Sequence, residues 1–322
     1  MKRTARTALA FALSLALSGA LAADKPAEAK KPVTMADILA ASTPSDWRPL
    51  DPQNTMYLEL ASGRVVIELS PGYAPEHVAN IRTLVRQGYY DGLAIVRSQD
   101  NYVVQWADPN DDDSEAKDGK PKAKSLGAAK AQLVSEYTVP ISDATPFTRL
   151  PDADGYAPQV GFAQGMPAGR DPKNNQTWLA HCYGALGVAR GNDPLSGNGS
   201  SLYVIIGHAP RQLDRNINVA GRVVQGMEKL SILPRGTGPL GFYEKPEQYV
   251  PITSIRLAAD VPEAERSKLE VLRTDTPTWD ALVASRRNRK DDWYQVPAGY
   301  VELCNVPIPV RPIEPPKPAA DK

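Results

Sequence analysis

A chain of 322 residues with 37 lysines and arginines against 37 aspartates and glutamates has no formal net charge, so its bulk electrostatics give no pull toward nucleic acid. Hydrophobic residues make up 42%, enough for a packed core, while 30 prolines against 23 glycines exclude a bundle of long helices, because proline inside a helix removes a hydrogen bond. A β-rich or mixed fold with many turns remains.

Lys2, Arg3 and Arg6 precede an apolar run over residues 8–17 and the small residues Ala20, Ala22 and Ala23. This is the pattern of a cleaved secretory signal over residues 1–22. The run is shorter than the roughly 20 residues needed to cross a bilayer, so the mature chain is expected in the periplasm or outside the cell, with no stable membrane insertion. Residues 23–54 read as a linker, broken by one short helix opening at Thr34, where Asp37 can complete a reciprocal cap.

Alternation begins at Met56: Met56, Leu58 and Leu60 share one face, Ser62-Gly63 marks a turn, and Val65, Ile67 and Leu69 share a face again, giving a hairpin with one buried side. Pro75 then opens a helix with Val78, Ile81, Leu84 and Val85 on one stripe and Gly88 as its stop. Residues 94–96, 102–106, 202–206, 219–224 and 252–257 are short, β-branched or aromatic, and bounded by Gly, Asn and Asp, as expected of strands in a closed barrel. Residues 226–233 form a second short helix. Residues 109–183 are a long insertion, part of it expected to order against the barrel and part to form a mobile loop. After residue 258 comes an extension to residue 322, with a helix capped by Thr276 and Pro277 that carries Trp279, Leu282 and Val283, and then a proline-rich tail.

The histidines His77, His181 and His208 are too few and too scattered for a metal cluster, and neither a nucleophile elbow nor a phosphate loop occurs. Cys182 and Cys304 are the only cysteines; in an oxidising compartment they are a candidate disulfide, the alternative being two separately buried thiols.

Three segments carry motifs that belong together in this order and spacing. The first is Val65-Val66-Ile67-Glu68-Leu69 with Ala74-Pro75-Glu76-His77-Val78-Ala79-Asn80-Ile81 and Gly88-Tyr89-Tyr90-Asp91-Gly92-Leu93; the second is Ile95-Val96-Arg97 through Asn101-Tyr102-Val103-Val104-Gln105-Trp106-Ala107-Asp108. The third runs from Gly184-Ala185-Leu186-Gly187-Val188-Ala189-Arg190 through Asn198-Gly199-Ser200-Ser201-Leu202-Tyr203-Val204 to Gln212-Leu213-Asp214-Arg215-Asn216 and Ala220-Gly221-Arg222-Val223-Val224. Together these segments resemble the cyclophilin family over residues 55–258, and the resemblance implies a mainly β fold, a closed antiparallel eight-stranded barrel capped by two helices. It implies peptidyl-prolyl isomerisation, with Arg97 matching the catalytic arginine and Gln105 the glutamine that orients it. Tyr102, Val103, Tyr203 and Leu213 match the walls of a proline pocket, Arg190 the place of an asparagine whose backbone binds peptide, and Ser201 the place of a groove glutamine. No cofactor and no metal is implied; the partners are proline-containing peptides and unfolded or folding envelope proteins.

The chemistry suits these residue types. Rotation about a peptide bond is opposed by resonance worth about 18–20 kcal/mol, and no covalent bond need be made or broken. A catalyst therefore needs only to favour the twisted amide, whose prolyl nitrogen regains a lone pair, and a permanently charged guanidinium is a rigid donor for it. Ile95-Val96, Ser201 and Ile217 depart from the family pattern and alter the groove. Two readings stay open: an isomerase assisting folding in the cell envelope, and a catalytically weak peptide-binding chaperone or assembly factor.

Overall fold

The computed structural model describes residues 33–111, 123–291 and 293–313. The signal reading over residues 1–22 and the end of the proline-rich tail lie outside the described residues.

In chain order the helices are α1 (Met35–Ala40), α2 (Pro75–Arg86), α3 (Met227–Ser231) and α4 (Pro277–Arg287). The strands are β1 (Trp47–Pro49), β2 (Thr55–Leu60), β3 (Gly63–Leu69), β4 (Ala94–Ser98), β5 (Val103–Ala107), β6 (Val139–Pro140), β7 (Thr148–Arg149), β8 (Gln159–Ala163), β9 (Met166–Asp171), β10 (Gln176–Leu179), β11 (Ala185–Val188), β12 (Leu202–Ile205), β13 (Val219–Gln225), β14 (Val250–Leu257), β15 (Leu269–Leu272) and β16 (Val310–Pro312).

Eight strands close a barrel in the order β11-β12-β5-β4-β14-β2-β3-β13, every neighbouring pair antiparallel. Its interior is filled by the residues the alternation picks out, among them Met56, Leu58, Val65, Ile67, Val104, Trp106, Leu202 and Val204. Helix α2 buries Val78, Ile81, Leu84 and Val85 into that core, and Gly88 ends it with a positive φ of 69°. Helix α3 contributes Leu230 to the same core.

The hairpin β2–β3 buries both faces instead of the single face its alternation suggests. Tyr57 and Val66, on the outer side, pack with Leu50, Leu269 and Val271. The cover is a three-stranded sheet in the order β1-β15-β16, which brings a strand from before the barrel together with two strands of the C-terminal extension. Residues 33–54 are therefore not a free linker: they supply α1, whose cap has Thr34 and Asp37 bonded reciprocally, and β1.

The insertion folds as a five-stranded sheet in the order β6-β10-β9-β8-β7. A second core joins it to both extensions: Trp47, Phe162, Trp178, Leu272, Trp279 and Leu282 are buried together, with Ile38 and Leu39 of α1 against them. Phe162 meets Trp279 edge to face, ring centroids 4.7 Å apart. Cys182 and Cys304 are bonded, linking the connection between β10 and β11 to the C-terminal segment, and Arg287 of α4 grips Asp152 at 2.7 and 2.8 Å.

Candidate active site

Strand β4 carries Arg97 on the outer face of the barrel, beside a bulge that shifts its register against β5 so that Arg97 lies opposite Gln105. The Arg97 Nη1 donates to Gln105 Oε1 at 3.1 Å, Nη2 to the Gln99 side chain, and Nε to the Leu240 carbonyl at 2.7 Å. Of the five N–H donors of a guanidinium these use three, so one remains on each Nη. Gln105 Nε2 in turn donates to Ser201 Oγ at 3.0 Å, and the Ser201 hydroxyl turns to the Trp106 carbonyl at 3.4 Å. Serine in the place of a groove glutamine thus becomes a support for Gln105.

Aromatic rings flank the fork. The Arg97 guanidinium carbon lies 5.6 Å from the centroid of Tyr102 and 5.2 Å from that of Phe242. Burial pulls the guanidinium below its ordinary value, with the neighbouring Tyr102 and Tyr203 opposing the shift. Val103 and Tyr203 lie in one apolar cluster with Ile205, and Tyr102 packs at its edge. Burial holds the Tyr203 hydroxyl well above its ordinary range, so it stays a neutral phenol. Its ring lies over Gly187, where an added Cβ would fall inside the ring.

The remaining assigned residues are placed differently. Leu213 is half-buried on a short turn, one residue before the buried Asp214. Arg190 turns its guanidinium away to the Asn216 carbonyl at 2.9 Å and the Gly191 carbonyl at 2.8 Å, so its side chain braces the loop. Val103 and Tyr203 are only 3% and 4% exposed, because Ala163, Met166, Ala168 and Leu179 of the insertion sheet belong to the same cluster.

Sequence reasoning missed Gln99, Leu240 and Phe242. The run Gly236-Thr237-Gly238-Pro239-Leu240-Gly241 signals a tight turn, but nothing in it says that the turn lies against Arg97. The structure makes the link by Gly236 N–H to Ser98 O at 2.9 Å and Tyr243 N–H to Val96 O at 3.0 Å. Among the described residues no group of three or more His, Cys, Asp or Glu side chains could hold a metal ion, and no helix is long and apolar enough to cross a membrane.

A closed eight-stranded antiparallel barrel thus carries on its outer wall an arginine braced by side-chain and backbone acceptors and bordered by aromatic rings. The family model for cyclophilin type peptidyl-prolyl cis-trans isomerases matches residues 55–257, and the chain belongs to that family. It is a peptidyl-prolyl cis-trans isomerase of the cyclophilin type. Among curated relatives, a probable peptidyl-prolyl cis-trans isomerase of Brucella suis is 26% identical over 204 residues, covering 63% of this chain and 83% of its own. A putative thylakoid lumen peptidyl-prolyl cis-trans isomerase of Synechocystis is 27% identical over 225 residues, covering 64% of this chain and 54% of its own. Among solved structures, cyclophilin AquaCyp293 from Hirschia baltica superposes with a TM-score of 0.64 at 26% identity, covering 86% of this chain and 97% of its own. That coverage extends well beyond the barrel, so the added sheets are part of the likeness.

Proposed function

We propose that the chain isomerises X-Pro bonds of folding proteins in the cell envelope, by hydrogen bonding and desolvating the twisted amide at Arg97. The proline ring is held against Tyr102, Val103, Tyr203 and Leu213 while the preceding carbonyl swings. The two spare Arg97 N–H groups face the bond and stabilise the state in which the prolyl nitrogen is pyramidal. A donor already tied to Gln105, Gln99 and the Leu240 carbonyl needs little reorganisation when that charge distribution develops. The brace on Arg97 is the observation that carries this reading. The envelope location rests on the signal pattern of residues 1–22.

A protease-coupled isomerisation assay on a Xaa-Pro tetrapeptide tests it. Arg97→Ala is expected to lower kcat/KM by at least about a hundredfold, the usual cost of removing a preorganised donor. A second reading, a catalytically weak binder of proline-bearing segments, draws on the 3% and 4% exposure of Val103 and Tyr203, which leaves little of either side chain open to a proline ring. Equal rates for wild type and Arg97→Ala would leave that reading alone standing.

A further inference from the structure

The chemistry above makes no use of His181, whose side chain is fully buried, or of Asp214, which is 6% exposed. Asp214 Oδ1 accepts the His181 backbone N–H and lies 2.9 Å from His181 Nδ1, while its Oδ2 accepts Arg211 Nε at 2.6 Å. Arg211 is gripped from the other side by Asp154 of the insertion, at 2.9 and 3.2 Å. The remaining imidazole nitrogen, Nε2, lies 3.0 Å from the Tyr203 hydroxyl, and the two rings are within 9° of parallel. An ionised carboxylate only accepts, so Nδ1 carries a proton toward Asp214, and Nε2 shares the second hydrogen bond of the ring with the Tyr203 hydroxyl. The Tyr203 ring is thus the last member of a hydrogen-bonded chain anchored outside the barrel, lying in the space that Gly187 leaves open.

We propose that His181 is a positioning residue for isomerisation: by holding the Tyr203 hydroxyl it fixes the ring that walls the proline pocket. The inference rests on the reading of Tyr203 as that wall. A phenylalanine here would be held by packing alone, whereas a buried tyrosine requires a partner for its hydroxyl and gains a fixed orientation from it. Asp214 follows Leu213 directly, so one carboxylate sets both the histidine and the turn that bears the second wall. A pocket that holds the proline ring still while the carbonyl swings works only as well as its walls are fixed.

The test is a double-mutant cycle in the tetrapeptide assay. His181→Ala and Tyr203→Phe are each expected to lower kcat/KM about fivefold, the size of one net hydrogen bond, with no further loss in the double variant. His181→Gln, whose amide can donate to Asp214 and accept from Tyr203, should recover activity to within about twofold of wild type. Full activity in Tyr203→Phe, losses that multiply in the double variant, or failure of glutamine to rescue would each overturn the proposal. If His181→Ala does not fold, the contrast between Tyr203→Phe and His181→Gln decides. Arg97→Ala in the same assay tests the site itself: a wild-type rate there overturns the reading of the pocket, whatever the histidine variants do.

Discussion

Gln105 stands between a cation and a hydroxyl, accepting from Arg97 and donating to Ser201. Replacing it by leucine keeps the volume near enough but frees one arm of the guanidinium, and a hydrogen bond to a charged group is worth more than a neutral one. Gln105→Leu is therefore expected to lower kcat/KM about tenfold, with the thermal midpoint little changed because Gln105 is half-buried on the outer wall. Gly187→Ala should cost stability as well as turnover. The new methyl group would occupy the Tyr203 ring's place, so both stability and turnover should fall, the former by about 1–3 kcal/mol as in other overpacked sites, read from denaturant midpoints. At this scale a residue is readable where the family resemblance gives it a counterpart: the support that Ser201 gives Gln105 shows only in the structure, whereas Arg97 and Gln105 are picked out by the resemblance. Leu240 is not, because its contribution is a backbone carbonyl, which any residue could supply.

Element by element, legibility follows the range of the interaction that stabilises each piece. Helix α2 announces itself through local spacing and a glycine stop, and hairpin β2–β3 through alternation and a tight turn. Helix α4 begins where Thr276 caps the Trp279 N–H, as its Thr-Pro start implies. Strands β6 and β7 have only two residues each and show no period at all. β11 reads Ala-Leu-Gly-Val, where glycine weakens any strand pattern; it becomes legible only through likeness to a family, and its glycine is explained only by the ring of Tyr203. β1 pairs Trp47 with Leu272, and no periodicity within residues 44–52 could disclose a partner so distant.

For the molecule as a whole, the barrel was readable and the second core was not, because that core is sewn from three stretches that never neighbour one another in sequence. Its bonds make two predictions. The disulfide spans 122 positions, and a loop of that size contributes about 4–5 kcal/mol in chain-entropy terms, so reduction should lower the denaturant midpoint without changing the barrel's far-ultraviolet signature in native buffer. Acid should act on the same region. Hydrogen bonding by Arg287 holds Asp152 below the usual carboxylate range; burial works against ionisation of Asp214, but the bond to His181 and the charge of Arg211 outweigh it. Carboxylates depressed in the folded state bind fewer protons than in the unfolded chain, so their stabilisation is complete above about pH 4 and is lost as pH falls through the folded values. Urea melts between pH 7 and pH 3 should show a midpoint that is flat and then falls, and Asp152→Asn should flatten the acid limb.

The covalent link between positions 182 and 304 also sets an order of events during synthesis. All eight barrel strands have been made by residue 257, whereas the second core still lacks α4, the partner cysteine and Val306. A nascent chain can therefore close its catalytic barrel while Trp47 and Trp178 wait uncovered for some fifty more residues, since Cys304 lies that much further along the message. The isomerase unit is in this sense a scaffold on which the rest of its own polypeptide completes itself.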